Sequence, residues 1–288
     1  MLGILLGVLF DGLAYGMLLF LISIGLSVTM GLMGFVNLAH GVFAMFGGYV
    51  AVVLMQHAGW PFLASLPAAF VAVAVASIVV ERLLYRHLYR RSQLDQVLFT
   101  IGLTFMAIAA ITYIFGPSQQ PVRLPAFLQG QMRLLGLDIG IYRLFLIGVG
   151  LLVMLGVVFG IERTRFGARV RAAVDNPVMA VGLGIPVGAV FAATFAIGSG
   201  LAGLGGALGI QILGLDPAFP LKFLVFFLIV VSVGGLGSIS GTLLAACIVG
   251  ICDVAGKYFL PEIGAFIIYA VMVALLMWRP QGLLGKRA

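Results

Sequence analysis

Few residues in this sequence are of a type that does chemistry, and those few sit at breaks between apolar runs. The first group lies in Gly31-Leu-Met-Gly-Phe-Val-Asn-Leu-Ala-His-Gly41. Asn37 and His40 are its strongly polar side chains, with Gly34 and Gly41 on either side. Their chemistry is hydrogen bonding rather than bond making, and polar groups held near membrane depth need partners. One reading is a tight turn in which Asn37 caps the next helix. The other is a broken segment that lines a pathway or gate, because irregular backbone in membranes lines cavities.

The second group is Glu162-Arg-Thr-Arg-Phe-Gly-Ala-Arg-Val-Arg-Ala-Ala-Val-Asp-Asn-Pro177. A helix from about Thr164 puts Phe166, Val170, Ala173 and Val174 on one side and Arg165 and Arg169 on another. Asn176-Pro177 reads as the N-cap and first position of a second short helix, which ends near Gly184-Ile-Pro186. Two such helices make a knob suited to the groove of a partner. The plainer reading is a solvated basic loop that only sets topology. The third group is Gly234-Gly-Leu-Gly-Ser-Ile-Ser-Gly241, in which Gly234, Gly235, Gly237, Ser238 and Gly241 form a second glycine-rich helix break.

Other chemistries are missing. Gly282-Leu-Leu-Gly-Lys286 has the wrong spacing for a phosphate loop and no following Ser or Thr, so the chain is not expected to hydrolyse ATP itself. There is no zinc-protease or nucleophile-elbow motif. His40, His57 and His87 are far apart, and Cys247 and Cys252 lack metal-ligand spacing, so neither a metal nor a cofactor is expected. Acidic residues fall near span ends or in loops, with Asp11 and Asp253 the nearest to exceptions. Ion-coupled carriers place carboxylates at mid-depth, so the energy for any transport should come from elsewhere.

The elements that must carry these groups follow from composition. Of 288 residues, 63% are hydrophobic and 9% charged, against about 25% charged in a soluble domain. That excludes a soluble enzyme, a disordered regulator and a secreted disulfide scaffold. It leaves an all-α polytopic membrane protein in a lipid bilayer. Apolar runs near 5–30, 38–56, 62–80, 96–115, 144–161, 187–209, 222–236, 241–256 and 263–278 give about eight or nine spanning helices. They form one membrane domain over residues 1–288. Gly198, Ala202 and Gly206, with Ser199, Gly203 and Ala207, recur at helical spacing and suit close helix packing.

Eleven of the 16 basic residues fall in three segments on one side: Arg82, Arg86, Arg90 and Arg91; Arg163, Arg165, Arg169 and Arg171; Arg279, Lys286 and Arg287. The net charge of +7 is thus topological rather than a sign of nucleic acid. The positive-inside rule makes loops near 81–95 and 162–186 cytoplasmic, with the C-terminus inside. Residues near 116–143 form the longest external loop, read as a structured cap or partner contact.

Taken in order, Gly34-Phe-Val-Asn-Leu-Ala-His-Gly41, Gly167-Ala-Arg-Val-Arg-Ala-Ala-Val-Asp175 with Gly184-Ile185, Gly234-Gly-Leu-Gly-Ser238 with Gly241, and Arg279-Pro-Gln-Gly-Leu-Leu-Gly285 resemble one family. It is the permease family of branched-chain amino acid ABC importers, in its shorter member. The resemblance covers nearly the whole chain. It implies a multi-pass protein of the bacterial inner membrane with the ABC importer permease fold. It implies four kinds of partner surface: a second related permease, two cytoplasmic ATPase subunits, a periplasmic binding protein and lipid. It further implies that Arg165, Gly167, Arg169, Arg171, Asp175 and Asn176 belong to the ATPase coupling segment. Related importers handle amides and urea, which is one alternative. A self-sufficient ion-coupled carrier is another, and a non-transport membrane protein is a third.

Overall fold

The computed structural model describes residues 2–89, 91–134 and 137–285. Arg90, Lys286 and Arg287, counted above toward the basic side, lie outside the described residues. The elements run α1 (Leu2–Met33), α2 (His40–Gln56), α3 (Phe62–Leu83), α4 (Gln93–Phe115), β1 (Gln131–Leu134), β2 (Leu137–Gly140), α5 (Ile141–Glu162), α6 (Arg165–Asp175), α7 (Pro177–Gly182), α8 (Val187–Leu213), α9 (Phe219–Gly234), α10 (Ile239–Phe259) and α11 (Gly264–Trp278).

Each of the nine apolar runs has its helix. Six are long and apolar enough to cross a bilayer, and α2, α9 and α11 are shorter, at 17, 16 and 15 residues. At 1.5 Å per residue, α2 and α9 reach only about 25 Å. Each is approached by a non-helical stretch, residues 34–39 and 214–218. α1 has 32 residues and is longer than the expected 5–30 at both ends. It therefore sets Asp11 more than two turns into the helix, about a turn deeper than the sequence boundary implied.

α1 and α8 form the centre. α1 packs on α10, α8 and α5, and α8 packs on α2 and α3. Leu18 to Ile22 of α1 are fully buried. Lipid supplies little hydrophobic force between helices, so close contact depends on small residues. The stripe on α8 provides it within the chain: Gly198 lies on Gly25, Gly203 on Gly47, and Gly206 on the Ala44 carbonyl. α4 and α5 are peripheral and leave Leu98, Phe105, Met106, Leu152, Leu155 and Phe159 exposed. Bilayer hydrocarbon is the solvent that suits such a surface.

The bundle is all-helical, and one small element beside it is not. Within the 116–143 loop, β1 and β2 pair as an antiparallel hairpin with Arg133 opposite Asp138. Strands of four residues carry no apolar run, so a search for spans passes over them.

The two ends of the bundle differ in charge. The α3–α4 turn, α6, α7 and the tail share one end, with Arg82, Arg86, Arg91, Arg163, Arg165, Arg169, Arg171 and Arg279. The hairpin loop and the α8–α9 and α10–α11 turns share the other, with Arg123, Arg133, Arg143, Lys222 and Lys257.

Candidate translocation core and coupling face

Residues 34–39 form a non-helical segment, open as far as Asn37 and turned at Leu38 and Ala39, beside the first turns of α4. Val36 N–H donates to Gln96 Oε1 at 3.0 Å, and Leu38 N–H donates to Thr100 Oγ1 at 3.2 Å. The match is geometric. An extended chain turns every second N–H to one side, and residues four apart on a helix share a face. Gln96 also donates to the Leu88 and Arg91 carbonyls, so one amide ties the break to the α3–α4 turn. Phe35 is buried against Tyr85 and Tyr89, with ring centroids 5.0 and 5.4 Å away. Tyr89 donates to Glu81 at 3.0 Å, and burial together with that carboxylate raises the pKa of its phenol.

Asn37 and His40 are both fully buried in this node. Asn37 Oδ1 accepts from the Tyr85 hydroxyl at 3.2 Å, and its Nδ2 has no partner. The capping reading of Asn37 is therefore corrected: the cap position of α2 is Ala39, without a side-chain bond. The physical reason is that a turn at Leu38 and Ala39 separates Asn37 from the first turn of α2, and the Asn37 amide meets Tyr85 instead. His40 Nε2 lies 2.8 Å from the Ile22 carbonyl, which can only accept, so Nε2 carries the proton and Nδ1 is left unpartnered. Gly34 opens the break, and Gly41 lies against Pro220. The N-terminal turns of the short helices α2 and α9 thus meet inside the bundle.

Sequence reasoning did not find Gln96, Thr100 or Tyr85. Their signal was available as polar residues on an apolar helix or at its end, but not the identity of their partners. Replacing Gln96 with leucine should leave the Val36 N–H and the Arg91 carbonyl without their Gln96 partner, whereas the Leu88 carbonyl keeps the Arg91 N–H. The expected cost is about 1–3 kcal/mol, read as a lower thermal midpoint of the detergent-purified protein. An unchanged midpoint would show that the break does not depend on this amide.

The second break closes a different contact. Ser238 Oγ caps α10 by accepting from Gly241 N–H at 3.0 Å. Gly235 and Gly237 have φ of 95° and 77°, a conformation that favours glycine. The backbone of Gly31 lies directly on Gly237, and Gly234 lies on Gly241, so side chains there would displace backbone. The tail then folds over the break. Leu283 N–H donates to the Val233 carbonyl at 2.7 Å and Leu284 N–H to Gly234 at 3.2 Å. A cavity of about 780 Å³ joins these pieces, with Gly31, Asp175, Gly237, Ser238, Gln281 and Gly285 in its lining. Residues from four separate sequence motifs therefore border one space.

α6 and α7 stand beside it. Thr164 caps α6 by accepting from Gly167 N–H at 3.2 Å, and Asn176 caps α7 by accepting from Met179 N–H at 3.0 Å, with Pro177 following. Val170 and Ala173 are buried with Val190 of α8, and Phe166 and Val174 pack around them. This is the inner face the spacing indicated. Arg165 and Arg169 are exposed, and Arg171 donates from an exposed position to the Ile161 carbonyl. Gly167 is different. It is buried on the Ile161 backbone, so it holds α6 on the end of α5. Beyond Asn176, α7 and its end present Val178 and Leu183, 81% and 77% exposed, with Met179 and Val181 also outside.

Residues 8–276 match the family described as "Branched-chain amino acid transport system / permease component". The chain is 29% identical to the high-affinity branched-chain amino acid transport system permease protein BraD of Pseudomonas aeruginosa, over 96% of this chain and 95% of that one. It is 28% identical to LivH of Escherichia coli K12, a protein of the same description, over 96% and 94%. It is also 28% identical to a probable branched-chain amino acid transport permease protein LivH of Methanocaldococcus jannaschii, over 96% and 92%. No solved structure matches the chain. With nine apolar helices among the described residues and a family match over almost its full length, the chain belongs to the permease components of branched-chain amino acid transport systems.

Proposed function

We propose that the chain is the membrane permease of an ATP-driven importer that moves branched-chain or similar neutral amino acids inward across the bacterial inner membrane. It pairs with a second, related permease. A periplasmic binding protein delivers substrate to one face, and two ATPase subunits bind the other. The arginine-rich end faces the cytoplasm, as the positive-inside rule requires, and the C-terminus lies there.

The observation that supports this best is the α6–α7 knob. Val178, Met179, Val181 and Leu183 form an exposed apolar tip at the charged end of the bundle, and the adjoining helix α6 exposes Arg165 and Arg169. An apolar tip beside an arginine-bearing helix suits a groove on a soluble partner. The chain has no phosphate-loop motif of its own, so ATP must act through such a contact.

The geometry supplies a route for that action. α6 is anchored to α8 through Val170, Ala173 and Val190, so the two move together. Asp175, at the end of α6, borders the same cavity as Gly31, Gly237 and Ser238. A displacement of the knob is thus carried to the junction of α1, α9 and α10, where glycine allows backbone to slide on backbone. ATP binding on the partners biases the pair between outward and inward states by favouring one position of the knob. Asn37 and His40 act as an inner gate node: their two unpartnered nitrogens are the polar groups that an opening of the α2 break would expose.

The test is uptake of leucine, isoleucine and valine by cells lacking only this chain, with and without its return. Binding-protein-dependent uptake should vanish in the deletion and come back with the chain. Unchanged uptake in a clean deletion without a second system would sink the proposal.

A further inference from the structure

Four charged residues at one end of the bundle, among them the buried Asp253, come together. Asp11 of α1, Arg143 of α5, and Asp253 and Lys257 of α10 border one cavity of about 320 Å³. That volume is at the lower end of the roughly 300–1,000 Å³ typical of small-molecule sites. It lies at the end of the bundle away from α6 and α7. Arg143 stands in the first turn of α5 and Glu162 closes that helix, about 30 Å further on.

The charges are balanced and paired. Arg143 Nη1 lies 2.5 Å from Asp11 Oδ1, and Lys257 Nζ lies 2.6 Å from Asp253 Oδ2. Two surface ion pairs would ordinarily carry no more meaning than that. Asp253 departs from that pattern. Its side chain is 3% exposed, and Oδ1, its second oxygen, is buried with no hydrogen-bond partner. A buried carboxylate oxygen without a donor is costly and rare. Arg143 uses one N–H on Asp11, which leaves the rest of its planar fork for a second carboxylate. Tyr15, beneath Lys257, and the apolar side chains Leu213 and Phe223 complete the wall.

We infer that this cavity receives the ammonium and carboxylate groups of a zwitterionic α-amino acid with an aliphatic side chain. Asp253 accepts from the ammonium, Arg143 donates to the carboxylate, and Leu213 and Phe223 hold the side chain. A zwitterion adds no net charge, so the two existing pairs open to it without any coupling ion. This inference rests on the reading of the chain as an amino acid importer, and it gives that importer a first contact on the face where substrate arrives.

The experiment uses the complete transporter in proteoliposomes with its binding protein. ATP-dependent leucine uptake by the unaltered complex comes first, and its absence would overturn the importer reading itself. The double variant D253N/K257Q is then compared. It removes both partners and leaves no lone buried charge, so a purely structural pair would tolerate it. Loss of a charge-assisted contact predicts that leucine uptake at sub-saturating supply falls roughly 10- to 100-fold. Uptake within about twofold of the unaltered complex, with assembly intact, would overturn the inference while the importer reading stood.

Should the double variant fail to assemble, a variant with unaltered charges decides. Leu213→Cys in a Cys247→Ser, Cys252→Ser background places one thiol on the cavity wall. Leucine should slow its labelling by a methanethiosulfonate reagent. 3-Methylbutylamine and 4-methylpentanoate, each carrying one half of the zwitterion, should not. Labelling that proceeds at one rate with and without leucine would overturn the inference.

Discussion

Gly206→Leu is expected to leave almost no folded protein in the membrane. Gly206 of α8 sits directly on the Ala44 carbonyl of α2, and Gly203 in the preceding turn sits on Gly47. Two helices meet there backbone to backbone, and neither side has a flexible side chain to yield. An added isobutyl group must drive α2 from α8. Overpacking in an ordinary core costs about 1–3 kcal/mol because side chains give way; here only backbone can. α2 also carries His40, and the break before it carries Asn37, so the loss spreads to the node. The measurement is the yield of monodisperse protein extracted in mild detergent. Gly102→Leu is the control, because Gly102 is exposed on peripheral α4 and nothing stands near its missing Cβ. Near-zero yield for the first and ordinary yield for the second are expected. Equal yields would show that the small-residue stripe does not hold the bundle together.

The paired change Val178→Asp, Leu183→Asp should have the opposite profile, a stable chain that no longer works. Both side chains are exposed and touch little of their own chain, so the stability change should stay within about 0.5 kcal/mol. At the centre of a docked interface, an apolar anchor is worth 2 kcal/mol or more, so its loss weakens association by roughly 30-fold. Pull-down of the ATPase subunits with the tagged chain and ATP-dependent uptake should fall together. Retention of both would move the contact elsewhere. An acidic residue at Gly167 is not an equivalent probe. That position is buried on Ile161, so its variant would fail through misplacement of α6 rather than through the partner.

What could be seen in the sequence was whatever is encoded locally. Nine apolar runs announced eight or nine helices because each must bury or expose its own length to lipid. Asn176-Pro177 announced the start of α7 because a cap and a proline act within one turn. The glycine and alanine stripe of α8 announced close packing, though not that its partners would be Gly25, Gly47 and Ala44 of this same chain. Contacts made at a distance were not legible. Nothing near Val36 indicates that its N–H is answered by Gln96, sixty residues away. Asp11 and Asp253 were noticed one at a time, near opposite ends of the sequence. Only the packing of α10 on α1 brings them to the same cavity with Arg143 and Lys257. Gly167 carried the motif, but its burial on Ile161 was not legible, since spacing alone does not distinguish a glycine needed for packing from one offered to a partner.

The central claim is that this permease is moved by ATP on partner subunits. It is tested most directly by purifying the tagged chain from its own cells and reconstituting what comes with it. The account predicts that a second permease and two ATPase subunits co-purify. It also predicts that leucine enters the proteoliposomes only with binding protein and ATP, and equally well when ionophores have collapsed every ion gradient. A chain that came out alone, and moved amino acids down an ion gradient without ATP, would contradict it.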